Sequence, residues 1–278
     1  MDKISENVYV ETGFIGCNVG FVVTASGIVM IDTPMVPTEA IKWRNIIAEY
    51  GQVQYIVNTE PHLDHYAGNH FFEGTIIGHE GIRWPVLSAT VEELKKRINK
   101  IAPESLPLLS EFSFHPPDIT CSRNCTLFLG NHTFQLIHMP GHTAYQLAVY
   151  IPEERVAFTS DNVFYRVQAF LDSSLPFEWL ESLKRLQKLE VDTLVPGHGE
   201  ICDLAYLPEM SAFINDWINA VSDAIDRGIS LEEAKDTIAF YERYPMLPGS
   251  ESMKKWLQHR NVERLYKIIS RNKTSKSG

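Results

Sequence analysis

The chain reads as an α/β protein with an all-helical C-terminal extension, and three observations carry that reading. Short β-branched runs cluster in two separate halves of the sequence, patterned segments with helical spacing lie between them, and from about Asp203 onward only helical periodicity remains. Two β-rich halves packed face to face with helices outside would form a four-layer αββα sandwich. Periodicity alone leaves other α/β arrangements open.

The first half opens with Val8–Val10, Val19–Thr24 and Ile28–Ile31, the last two joined by a Ser26-Gly27 hairpin signal. Pro37 begins a helix with Ile41, Ile46 and Ile47 on one face, ending near Gly51. Gln54–Val57 and Thr75–Ile77 are further strands, and a helix is expected around Val91–Ile101. Pro103, Pro107, Pro116 and Pro117 mark a loop-rich insertion. The second half holds strands at Thr126–Leu129, Thr133–His138, Leu147–Ile151, Val156–Thr159 and Asp192–Val195, with an amphipathic helix over Phe177–Leu189. Trp84 and Trp179 are expected in the core. Helices are expected over 207–227, 231–242 and 250–270, and the RNKTSKSG tail (271–278) is expected to be disordered. The division is therefore a sandwich domain over 1–202 and a helical extension over 203–270.

Composition narrows the function classes. The net charge of −10 with no compensating basic face argues against nucleic acid or an anionic membrane as partner. The densest basic run, Lys95-Lys96-Arg97, follows Glu92-Glu93 on a helical segment and reads as a solvated face. The N-terminus lacks the pattern of a signal peptide, and no apolar run approaches the ~18 residues of a membrane span. The four cysteines (Cys17, Cys121, Cys125, Cys202) are scattered and expected to be free thiols. A cytoplasmic location and a small-molecule substrate are the expectations.

The chemistry concentrates in NTEPHLDHYAGNH (58–70), where Glu60, His62, Asp64 and His65 place four metal-type ligands in six positions beside the apolar run Tyr55-Ile56-Val57. Packing requires no such cluster; a loop wrapping a cation does. Three more residues of the same chemistry sit at strand-to-loop junctions: His142 in MPGHTAYQ, Asp161 in FTSDNVF at the expected end of its strand, and His198 in VPGHGE. In both His motifs a Pro-Gly pair is expected to break the strand and aim the imidazole from a tight turn. His70, His79, His115, His132, His138 and His259 lack such context and read as structural.

In this order the set resembles the metallo-β-lactamase superfamily, whose signature is H-x-H-x-D-H followed by a distant His, a bridging Asp and a last His. The resemblance covers about residues 5–202 and includes Asp32 in IDTP. It implies the αββα fold and two divalent metal ions, usually zinc and sometimes iron or manganese. Glu60, His62 and His142 would hold the first ion and Asp64, His65 and His198 the second. Asp161 would bridge them, an arrangement without a bridge being the alternative. Asp32 reads as a residue supporting the ligands or making a turn, and Tyr66, Phe164, Tyr165 and Arg166 as pocket lining. The implied activity is metal-dependent hydrolysis of a small-molecule ester, thioester, lactone or amide-type bond by a metal-activated hydroxide, with Asp64 orienting the nucleophile and moving its proton. A mononuclear iron oxygenase and a non-hydrolytic lyase or cyclase are the alternatives, and a β-lactamase is less favoured. The helical extension would roof the site, mediate a homodimer or pack on the sandwich.

One letter departs from the pattern: Glu60 stands where the family has its first His. A carboxylate there takes the binuclear centre from a formal charge of about plus one to about zero, which weakens acidification of bound water and favours harder ions. Three outcomes are open: Glu60 ligates in a working binuclear site, it points away and leaves one ion, or the chain keeps only the fold.

Overall fold

The structure, a computed structural model, describes residues 1–274. Two β-sheets face each other. The first has seven strands in sequential order: β1 (Asp2–Lys3), β2 (Val8–Glu11), β3 (Val19–Thr24), β4 (Gly27–Ile31), β5 (Val53–Asn58), β6 (Thr75–His79) and β7 (Ile119–Cys121). Pairing is antiparallel from β1 to β4 and parallel from β4 to β7. The second sheet runs β12 (Thr193–Gly199), β11 (Val156–Tyr165), β10 (Leu147–Ile151), β9 (His132–His138), β8 (Cys125–Leu129), and only β11–β12 is parallel.

Period-two patterning decides which side chains meet. In β4, Val29 and Ile31 point inward to join Val8, Val10, Val22 and Val57 against Phe134, Leu136, Leu147, Val149 and Phe158 of the second sheet. The alternate residues of the first sheet, Phe21, Ile28 and Met30, face outward and are covered by Trp43 and Ile47 of α1 (Pro37–Ala48). On the far side, Ile137, Ala148, Ala157 and Leu194 are covered by α5 (Pro176–Leu186), α6 (Leu207–Asp226) and α8 (Lys254–Thr274). The four layers of the αββα sandwich are thus explicit. The apolar stripe Met210, Phe213, Ile214, Trp217, Ile218 and Val221 of α6 is buried in that outer core. Its role is packing.

The remaining α-helices are α2 (Leu63–Tyr66), α3 (Glu80–Ser88), α4 (Val91–Ile101) and α7 (Leu231–Thr237). α4 begins with a capping pair, the Glu93 N–H donating to Thr90 Oγ1 and the Thr90 hydroxyl donating to Glu93 Oε2. It buries Leu94 and Ile98 while Lys96 and Arg97 stay exposed, as expected of a solvated basic face. The four cysteines are free. Among the described residues no helix is long and apolar enough to cross a membrane.

Several expectations are corrected. The buried stripe of α1 is Ala40, Trp43 and Ile47, with Ile41 and Ile46 only half-buried, because the sheet takes the indole rather than the isoleucines. α3 was not expected, since Pro85 lies inside it, and its Trp84 is 75% exposed rather than in the core. β11 does not stop at Thr159 but runs to Tyr165, with register shifts on both sides of Ser160. β12 likewise continues through Pro196-Gly197-His198. α7 ends at Thr237, short of 242, because Ile238 is already extended. α8 extends to Thr274, through positions 271–274 of the tail expected to be disordered; 275–278 lie outside the described residues.

Candidate metal centre

The site forms where the parallel strands end, the edge at which α/β sheets expose backbone and loops to a ligand. β5 ends at Asn58 and the chain passes Thr59 and Glu60 to His62, which precedes the single helical turn of α2 carrying Asp64 and His65. The second sheet contributes His142 from the β9–β10 connection, Asp161 from the bulged part of β11 and His198 from β12. All seven residues predicted as ligands converge.

They converge as two sets. Glu60, His62, His142 and Asp161 bring one ligand atom each within 4.8 Å of one another, and so do Asp64, His65 and His198. Asp161 reaches both sets: its Oδ1 lies 3.3 Å from His65 Nε2, and its Oδ2 lies 3.5 Å from His142 Nε2 and 3.3 Å from His198 Nε2. Glu60, fully buried, puts Oε1 2.5 Å from His62 Nδ1 and 3.5 Å from His65 Nε2, and Oε2 3.8 Å from His142 Nε2. Its carboxylate points into the cluster, not away from it.

The imidazoles are aimed from behind. His142 Nδ1–H donates to the Phe170 carbonyl (2.7 Å) and His198 Nδ1–H to the Gly16 carbonyl (3.0 Å), while His65 Nδ1 meets Asp32 Oδ2 at 2.9 Å. An acceptor at Nδ1 fixes the tautomer and leaves the Nε2 lone pair facing inward, the arrangement of a metal-binding histidine. Asp32 is itself fixed, accepting the Thr59 N–H at 2.8 Å and the Thr59 hydroxyl at 2.5 Å. Asp32 and Ser160 both adopt left-handed backbone (φ 54° and 51°) and both contact the Thr59 hydroxyl. Asp32 therefore makes a turn and holds the His65 imidazole.

The supporting residues not predicted are mainly buried amides. Asn58 and Asn69 pair side chain to side chain, and Asn58 also donates to the His65 carbonyl. Asn162 Oδ1 accepts the His142 N–H while its Nδ2 donates to the Met139 carbonyl. The residue types offered a signal, since asparagine adjoins Thr59-Glu60 and Asp161 in sequence, but backbone acceptors such as Phe170 and Gly16 leave none. The glycines of the two Pro-Gly-His motifs act differently from expectation. Neither needs left-handed backbone; instead, a Cβ at Gly141 would collide with Asn162 Oδ1 and one at Gly197 with Asp161 Oδ1. Both permit close approach; β9 does end before Pro140-Gly141, as expected, whereas β12 runs on through Pro196-Gly197. Phe164 stacks on His198 (5.2 Å between centroids) and backs His142, whereas Tyr165 lies against Tyr206 and Tyr66 against Phe114.

Electrostatics matches a cation site. Burial alone would lower the His62 imidazolium, yet Glu60 and then Asp64 and Asp161 outweigh it and lift His62 to about 9. Against burial, Cys17, Asp32 and Asp161 raise His65 and Asp161 and Asp64 raise His198, while His198 and His65 drive Asp161 well below the usual carboxylate range. At His142 burial outweighs the nearby carboxylates and lowers the imidazole from its ordinary value. Buried carboxylates here draw positive charge inward, and protons on the imidazoles or metal ions can supply it. The donor atoms decide the fit. Both Glu60 oxygens, His65 Nε2 and Asp161 Oδ1 are buried without a hydrogen-bond partner, and all belong to the cluster. Imidazole and carboxylate donors with orphaned inward atoms fit zinc, iron or manganese.

The comparisons agree. The family model for the metallo-beta-lactamase superfamily matches residues 12–198. A hydroxyacylglutathione hydrolase of Bartonella quintana (strain Toulouse) is 36% identical over 70 residues, 25% of this chain and 28% of that protein. Another, of Mesorhizobium japonicum, is 28% identical over 140 residues, 50% of this chain and 46% of that protein. The chain thus spans less than half the length of these curated relatives. Among solved structures, a metallo-beta-lactamase from Pontibacter korlensis superposes with a TM-score of 0.60 at 21% identity, covering 77% of this chain and 97% of its own. The sec-alkylsulfatase Pisa1 from Pseudomonas sp. gives 0.72 at 15% identity, over 96% of this chain and 49% of its own. At such identities the structures speak for fold alone. With the model match spanning most of the chain and the site residues in family order, this chain belongs to the metallo-beta-lactamase superfamily.

Proposed function

We propose that the protein is a metal-dependent hydrolase of a small-molecule ester, thioester, lactone or amide-type bond, with Glu60 a working ligand of a binuclear centre. The observation that carries this reading is the Glu60 carboxylate: fully buried, without a hydrogen-bond partner at either oxygen, and facing His62, His65 and His142. Thioesters lead the substrate classes because the relatives reported above are named for hydroxyacylglutathione, itself a thioester.

Glu60, His62 and His142 would hold one ion, Asp64, His65 and His198 the other, and Asp161 both. Two divalent ions there, zinc by preference, supply a Lewis acid for the substrate oxygen and lower the pKa of the attacking water. The chain's own part is orientation and proton handling. Asp32, Phe170 and Gly16 hold three imidazoles with Nε2 inward, so the centre is preorganised. Asp64, with Oδ2 3.6 Å from His198 Nε2, is the catalytic carboxylate: it orients the water, accepts its proton and returns it to the leaving group. His198 and Phe164 wall the cluster on that side.

The test is metal quantification of wild type beside Glu60→His, with turnover assayed on thioesters, esters, lactones, amides and phosphodiesters. Two ions per chain in both proteins and turnover of a carbonyl substrate are expected. One ion in wild type and two in the variant would overturn the binuclear reading. Failure of zinc-, manganese- and iron-loaded protein to turn over every class would overturn the hydrolase.

A further inference from the structure

The segment between β11 and α5 carries no regular secondary structure from Gln168 to Leu171, yet the carbonyls of Ala169, Phe170 and Leu171 and the N–H groups of Gln168 and Leu171 are all engaged. Phe170 gives its carbonyl to His142 Nδ1–H. On either side of it, the Ala169 carbonyl accepts from Asn261 Nδ2 at 3.1 Å and the Leu171 N–H donates to Asn261 Oδ1 at 2.7 Å. Asn261 lies on α8, 90 residues further along the chain, and is fully buried. The same helix face adds Gln258, whose Nε2 donates to Gln168 Oε1, and Arg264, whose Nε donates to the Ser174 carbonyl. Gln258, Asn261 and Arg264 recur every three residues, so they form one polar stripe facing the segment. The neighbouring Leu257, Val262 and Leu265 are buried apolar residues.

A fully buried amide is costly unless every group is matched, and an apolar residue of similar size would suit a packing role equally well. Asn261 instead grips both backbone groups flanking the one carbonyl that orients a ligand candidate. We propose that Asn261 is a positioning residue for His142, so that the C-terminal helix sets the imidazole's aim and, through it, the affinity of the Glu60–His62–His142 set for its ion. The extension then belongs to the site as well as to the core. This rests on the metal reading above for the affinity, but not for the orientation of the ring.

The test compares full-length wild type, the near-isosteric Asn261→Leu and a packing control, Leu265→Ala, by two readouts. The first is exchange of the His142 ring Nδ1–H with water, followed by NMR of the imidazole nitrogens and assigned with His142→Gln. The second is Co(II) titration against a competing chelator. Wild type is expected to hold the ring proton in slow exchange. Asn261→Leu is expected to release it and to weaken one bound Co(II) about tenfold or more, leaving the other unchanged. Leu265→Ala should lose thermal stability and keep both properties. An unchanged ring proton and unchanged affinity in Asn261→Leu would overturn the proposal. So would equal losses in Leu265→Ala, which would mean general loosening. If Asn261→Leu does not fold, Asn261→Asp keeps the acceptor for the Leu171 N–H and loses the donor to Ala169; wild-type behaviour there also overturns it. Wild type that binds no Co(II) sinks the metal reading, while the ring proton still decides the orientation.

Discussion

Two glutamates set against histidine, Glu60 fully buried and Glu154 half-buried, do opposite things in this molecule. Glu154 is fully answered: Oε1 accepts from Asn7 Nδ2 (2.7 Å) and from His132 Nε2 (2.8 Å), and Oε2 accepts the Asn7 N–H (3.2 Å). It ties the loop before β2 in one sheet to β9 in the other. Glu60 also has histidines around it, but neither oxygen has a hydrogen-bond partner. The difference lies in what the surroundings offer. Around Glu154 they include the two donors of Asn7; around Glu60 they are the imidazoles of His62, His65 and His142, the last two with their other ring nitrogen already held. A buried Glu–His pair is therefore informative only when its remaining hydrogen-bonding capacity is counted.

The comparison can be broken by crossing the two sites. Glu60→Gln should weaken one bound ion at least about a hundredfold, measured by chelator competition, and carry turnover down with it. Comparable ion affinity in wild type and variant would place Glu60 with Glu154 as a structural residue. A smaller effect is expected one bond further out. Asp32→Asn keeps the shape beside His65 but replaces the acceptor with an amide able to present a donor, so ion affinity should fall by about tenfold. Asp32→Glu should recover less than half of it, because Thr59 fixes the carboxylate's position.

The smallest effect belongs to Glu154→Gln, which should leave ion content untouched and lower stability by about 1–2 kcal/mol at pH 7, or a Tm lower by about 2–6 °C. Its pH dependence has a definite sign. Burial would raise the Glu154 carboxyl, but the bonds from His132 and Asn7 outweigh it and hold it at about 2, below the ordinary 4.5. A depressed acid contributes stability that is present above about pH 4.5 and lost as pH falls toward 2. Denaturant melts of wild type and variant should therefore differ by a constant amount above pH 5 and converge in acid. Divergence in acid instead would mean that the carboxylate is not what ties the sheets together.

Sequence patterning made the layers legible because strands buried on one face against the opposite sheet and on the other against helices must be rich in Val and Ile, as Val8–Val10, Val19–Thr24 and Leu147–Ile151 are. It hid the length of β11, whose Thr159-Ser160-Asp161-Asn162 run reads as a loop although it stays paired through two irregularities. It hid α3 behind Pro85 and mistook the bulk of Trp84 for a core residue. At the site, the candidate ligands announced themselves because few buried roles demand so many carboxylates and imidazoles. Their orienters did not. The carbonyls of Phe170 and Gly16 have no side-chain signature, and Asn261 is one amide in a helix whose position only the tertiary fold reveals.

The two crowded glycines bear on how this protein can change. Any side chain at Gly141 strikes Asn162 Oδ1, which holds the His142 N–H, and any at Gly197 strikes Asp161 Oδ1 itself, so both motifs are closed to mutation at their glycines. The neighbourhood is freer at Tyr145, which lies three residues past His142 and is 42% exposed. A mutational library around the site should therefore leave positions 141 and 197 as glycine.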